Sequence, residues 1–220
     1  MVSFRSLLLT ATGVLALPSG PDQLKNGQFL GRDTTPNSEG VHDGYFYSFW
    51  SDGEGTVNYQ NGDKGNYNVT WQECGNFYGG KGWNPGEART INFNGTFTTS
   101  GNGYLSIYGR TVNPDAEYYI IEALGTYDPS DYLNPLGSYG ADGSEYKLSN
   151  YTRISWPSVI LYQYYAVRQN KRTSGSIDIA SHFAAWREKG VMLGQHNFQI
   201  LAVEGYRSSG EADMTVWEGN

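Results

Sequence analysis

From residue 43 onward, apolar and polar positions alternate in short runs broken by Gly, Asn, Asp and Pro, the period-2 pattern of strands with one buried face. The runs GYFYSFW (44–50), GNFYGGKGW (75–83), RTINFNGTF (89–97), GYLSIYGRTV (103–112), EYYIIEALGTY (117–127), YKLSNYTRI (146–154), LYQYYAVRQ (161–169), FQILAVEGYRSSG (198–210) and ADMTVWE (212–218) are rich in Tyr, Phe, Ile and Val, which suit a pleated surface. Between the first two, Asn61-Gly62 and Asp63 to Gly65 are hairpin-turn sequences. About ten short strands at this spacing predict an all-β fold, a sandwich or jelly roll. One segment has the helical period instead. In residues 178–190, Ile179, Phe183 and Trp186 fall on one face, Asp178 is placed to cap the N-terminus and Gly190 to stop the C-terminus. A single helix packed on the sheet is expected.

The first 40 residues do not follow this pattern. Residues 1–17 carry Arg5 before a short apolar core that ends in small and apolar residues, the layout of a secretory signal peptide. Residues 18–40 are polar and aperiodic and read as a propeptide or flexible lead, which leaves 41–220 as one catalytic-sized domain. Sequons at Asn68, Asn94 and Asn150 agree with an extracellular, glycosylated product. The formal charge of −7 argues against nucleic acid and anionic membranes as partners. A single cysteine, Cys74, excludes an internal disulfide, and His42, His182 and His196 show no ligand spacing, so no metal or other cofactor is expected.

Candidate chemistry rests on glutamates in apolar strands. In residues 116–127, Glu117 and Glu122 are five positions apart, so they project to opposite faces of one strand and cannot serve one substrate together. Glu204 shares its strand face with Ala202, Ile200 and Tyr206. A lone carboxylate there is costly to bury ionised, so it either reaches solvent in a cleft or keeps its proton, as a general acid must near neutral pH. Two carboxylates about 5–5.5 Å apart across a sugar ring perform retaining glycoside hydrolysis. By these criteria alone, Glu117 with Glu204 is one pairing among many.

The strings YSFWSDGEGTVNY, CGNFYGGKGWNPG, RTINFNG, NGYLSIYG, EYYIIE, GTYDPS and VEGYRSSG, in this order over about residues 43–217, resemble the secreted endo-β-1,4-xylanases of glycoside hydrolase family 11. That resemblance implies a β-jelly roll of two curved antiparallel sheets with one α-helix around a cleft, and a monomer that cuts internal bonds of xylan with retention. By motif, Glu117 matches the nucleophile and Glu204 the acid/base. Tyr108, Tyr119 and Gln163 match residues around the reacting centre, and Trp50 a sugar-stacking platform. Arg153, Pro157 and Ser158 match the thumb hairpin that closes over substrate, and Asn76 a residue that hydrogen-bonds the acid/base. Asn rather than Asp at position 76 goes with a mildly acidic to neutral optimum. For each of these, core packing or an ordinary strand position is the competing role.

The departures concentrate at the cleft. Arg110 stands where the family has Trp, and the family's Arg two positions on is Val112. Ahead of the nucleophile stand Asp115-Ala116, and Tyr165, Phe198 and Val203 replace a Trp, a Tyr and a Thr. Gln163 follows Pro157 by only six residues, so the thumb tip is missing. A more open cleft and reduced turnover are expected, with Arg110 lowering the pKa of nearby carboxylates, Glu204 included. Hydrolysis of a β-1,4-glucan and a low-turnover carbohydrate-binding or host-recognised protein are the alternatives.

Overall fold

In the computed structural model, residues 34–155 and 159–219 are described. The expected signal peptide, most of the expected lead and the thumb residues Pro157 and Ser158 lie outside them.

Fourteen strands form two sheets: β1 (Ser38–His42), β2 (Tyr45–Ser51), β3 (Thr56–Asn61), β4 (Asn66–Gln72), β5 (Asn76–Trp83), β6 (Thr90–Thr99), β7 (Asn102–Val112), β8 (Ala116–Leu124), β9 (Asn134–Ala141), β10 (Ser144–Ser155), β11 (Val159–Arg168), β12 (Gly175–Asp178), β13 (Gln195–Tyr206) and β14 (Gly210–Glu218). The large sheet has the order β1-β2-β5-β13-β7-β8-β11-β10-β9, and the small one β12-β6-β14-β4-β3. Pairings are antiparallel except that of β8 with β11. This is the all-β jelly roll expected from the alternation.

Side-chain alternation gives the large sheet two different faces. One face, with Phe49, Phe77, Leu105, Ile107, Tyr118, Ile120, Leu201 and Val203, packs against Val57, Tyr67, Val69, Phe93, Met214 and Val216 of the small sheet. The other carries a separate cluster, Tyr104, Tyr108, Tyr119, Ile121, Val167, Phe198, Ile200 and Ala202, built from large-sheet strands alone. Among the described residues no second sheet covers this aromatic face. Gly109 gives the Tyr118 ring of the neighbouring strand room to lie across β7, since a Cβ there would collide with that ring.

The helix α1 (Ile179–Glu188) packs on the sandwich side, with Ile179 and Trp186 in the main core and Phe183 edge-on to Tyr118. Asp178 caps it by accepting from the Ala180 and Ser181 amides, and Gly190 leaves it at φ +80, as the sequence pattern requires. The polar lead ends earlier than expected. Ser38–His42 is already an edge strand on β2, and the Thr35 amide donates to the Val57 carbonyl, so the ordered domain reaches back into residues 34–40.

Glu122 lies on the sandwich side of β8, fully buried, where it accepts from the Tyr146 hydroxyl at 2.6 Å and pairs with Arg172 and Arg168. Removing one member of such a buried group leaves the others uncompensated, so Glu122→Gln is expected to cost about 3 kcal/mol of stability. Urea unfolding checks the loss, and kcat measured well below the melting transition should stay within about threefold of the original.

Candidate active site

The parallel pairing of β8 with β11 sets Gln163 beside Glu117, and the antiparallel pairing of β7 with β8 sets Tyr108 beside Tyr119 and Arg110 beside Glu117. These registers build the site. The Tyr108 hydroxyl donates to Glu117 Oε1 at 3.0 Å, and the Gln163 side-chain amide donates to Oε2 at 2.8 Å, so both carboxylate oxygens are held from two strands. Arg110 Nε stands 3.9 Å from Oε1, an ion pair but not a hydrogen bond. Glu117 therefore faces the open aromatic side, away from Glu122, as strand parity requires.

Glu204 comes from β13, opposite Tyr78 of β5 and Tyr104 of β7. Burial first, and the Glu117 charge second, push its carboxyl from 4.5 up to about 8. Two carboxylates that interact while sitting in different surroundings divide into a proton carrier and a charged partner. The expectation that Arg110 would lower the pKa of Glu204 is not met. The register places that guanidinium beside Glu117, and desolvation governs Glu204.

Aromatic rings line the space between them. Tyr119 stacks on Tyr108 at 4.9 Å and on Tyr165 at 4.7 Å, Tyr78 meets Tyr108 edge-on at 5.2 Å, and Trp50, 39% exposed, lies over Tyr78 at 6.3 Å. Burial, followed by the Glu117 charge, raises the Tyr108 and Tyr119 hydroxyls far above the usual phenol range, so both remain neutral donors at working pH. Tyr78 escapes sequence reasoning, although its position opposite Glu204 follows once β5 and β13 are known to pair.

The remaining expected residues are less engaged. Asn76 sits opposite Tyr206, on the face shared by Glu204, with its Oδ1 buried and unpaired; no hydrogen bond joins it to Glu204 among the described residues. Arg153 is exposed, opposite Leu161, and makes no ion pair among the described residues. Strands β10 and β11 run only four pairs past Tyr151↔Gln163, to Ser155↔Val159, which fits a short hairpin. Among the described residues no group of three or more His, Cys, Asp or Glu is placed to hold a metal ion, and no helix is long and apolar enough to cross a membrane.

Residues 42–215 match the family described as glycosyl hydrolases family 11. The chain belongs to this family. It is 49% identical to endo-1,4-beta-xylanase I of Cochliobolus carbonum over 98% of this chain and 99% of that one, and 49% identical to endo-1,4-beta-xylanase 2 of Humicola insolens over the same shares. Endo-1,4-beta-xylanase A of Gibberella zeae is 48% identical over 98% of this chain. With the family in hand, the glutamates on the aromatic face become the natural place for glycoside chemistry.

Proposed function

We propose that this glycoside hydrolase is an extracellular endo-1,4-β-xylanase that retains anomeric configuration, with Glu117 as nucleophile and Glu204 as acid/base. The observation that carries the reading is the contrast between the two carboxylates: Glu117 held by Tyr108 and Gln163, Glu204 desolvated and raised to about 8.

In the first step the Glu117 carboxylate attacks the anomeric carbon as Glu204 gives its proton to the departing glycosidic oxygen. In the second, Glu204 takes a proton from water, which displaces the sugar from Glu117. Tyr108 and Gln163 fix the attacking oxygens, so the carboxylate enters the reaction without searching for its orientation. Trp50 offers an exposed ring to the apolar face of a sugar, and the Tyr78, Tyr108, Tyr119 and Tyr165 rings floor the cleft. The signal-like layout of residues 1–17 supports secretion. The test is a reducing-sugar assay on xylan beside carboxymethyl cellulose, with the anomer of the first product read by NMR. Inverted product, or cellulose as the faster substrate, would overturn the reading.

Asn76 provides a second check. Its unpaired Oδ1 is free to accept a hydrogen bond from the protonated Glu204 carboxyl, and an aspartate there would form one titrating unit with Glu204. Asn76→Asp is expected to move the pH optimum downward, measured from kcat/KM profiles on xylan. An unmoved profile would detach Asn76 from the acid/base.

A further inference from the structure

Among the described residues Arg110 is the guanidinium that pairs with a proposed catalytic carboxylate, and its ion pair with Glu117 uses little of it. The closest approach is 3.9 Å through Nε, the side chain is 44% exposed, and no hydrogen bond from the guanidinium is made among the described residues. Its charge reaches Tyr78 and Tyr108, so it belongs electrically to the cleft wall. Opposite it, the β7 and β13 ladder is broken: Thr111 pairs with His196 and Gly109 with Gln199, so Asn197 and Phe198 together face Arg110. Such a bulge redirects side chains at the edge of a site. Phe198 turns inward onto Tyr108, while Asn197 stays exposed beside Arg110.

A neutral polysaccharide gains little from a half-solvated cation. A carboxylate gains much more, because a guanidinium offers paired N–H donors that match its two oxygens. Around the reacting centre the other charges are acidic: Glu117 and Glu204, with Asp115 exposed on the approach to β8, in a chain of net charge −7. Arg110 stands in one row with Glu117, Gln163 and Tyr151, which crosses β7, β8, β11 and β10. Beside the two glutamates an anionic substituent would be repelled except at Arg110; the exposed Arg153 lies farther out on the same face, two residues beyond Tyr151 on β10.

We propose that Arg110 makes the cleft selective for xylan carrying uronic-acid side chains, by receiving the uronate carboxylate beside the reacting sugar. This rests on Glu117 and Glu204 being the catalytic pair of a xylanase, and it adds a charged recognition element to that reaction. The competing role for Arg110, holding Glu117 in place, would affect charged and neutral substrates alike.

The experiment uses one glucuronoxylan and the same polymer after chemical reduction of its uronate carboxyls to alcohols, so that chain length and branching match. The wild-type enzyme is expected to show kcat/KM about fivefold higher on the uronate form, the size of one partly exposed charge-assisted contact, and to lose that preference in 0.5 M NaCl, a concentration of roughly that order sufficing to screen it. Arg110→Gln is expected to bring the ratio close to one, whatever happens to the absolute rates, and Arg110→Lys to retain part of it. A ratio near one in the wild type, or one unchanged in Arg110→Gln, would overturn the selectivity while leaving the xylanase intact. Turnover of neither polymer by the wild type would overturn the proposed function and the selectivity with it. Should Arg110→Gln fail to fold, the salt dependence of the wild-type ratio decides, and a salt-independent preference counts against the proposal.

Discussion

Glu117→Gln is expected to lower kcat/KM on xylan by on the order of 10⁴ to 10⁶, because the amide removes the proposed nucleophile that would form the glycosyl-enzyme bond. The fold should survive. Glutamine has the same shape, fits the largely buried position, and can still accept from Tyr108 or Gln163 with its one carbonyl oxygen. Glu204→Gln should behave differently. Losing a general acid costs about 10² to 10⁴, and only where the leaving group needs a proton. On xylan the loss should be near the upper end of that range; on an aryl xylobioside with an acidic phenol it should be small for the first bond cleavage, with the glycosyl-enzyme then accumulating because no base activates water. Pre-steady-state release of the phenol and mass spectrometry of the intact protein distinguish the two variants. Equal losses on both substrates for Glu204→Gln would remove it from the acid role, and a covalent adduct formed by Glu117→Gln would remove Glu117 from the nucleophile role.

Strand parity alone separates Glu117 from Glu122, because a period of two leaves no freedom in which face each residue takes. What parity cannot supply is the neighbour across the ladder. Arg110 illustrates the limit: alternation puts it on the face of Tyr108, but only the β7–β8 register places it beside Glu117 rather than near Glu204, and the expected effect on Glu204 fails for that reason. Glu122 is similar, since its partners Tyr146, Arg168 and Arg172 come from more than 20 residues away. Strands β1, β9 and β12 escape the pattern because each lies at the rim of its sheet. There one neighbouring strand is enough, and Gly, Pro and Ser in SEGVH, NPLGSYGA and GSID weaken the alternation. The helix is legible because its cap, period and stop are all local.

The kcat/KM of the wild type should fall as pH rises, with its alkaline midpoint within about a unit of pH 8, because the free enzyme must carry the Glu204 proton to deliver it. The same proton links catalysis to stability. Glu204 titrates near 4.5 when solvated and near 8 when folded, so between those values the folded protein binds a proton that the unfolded chain has released. Stability then decreases as pH rises through that window, by a few kcal/mol at most, and levels off above it. Glu204→Gln has no such proton and should lose this part of the decline, becoming more stable than wild type near pH 8 when both are unfolded in urea. Glu117→Gln separates the two causes. Burial of Glu204 persists in that variant but the neighbouring charge does not, so the upper end of the window should move below about 8. An unmoved window would mean that desolvation alone sets the proton affinity of Glu204, and that the two carboxylates do not feel each other in the resting enzyme.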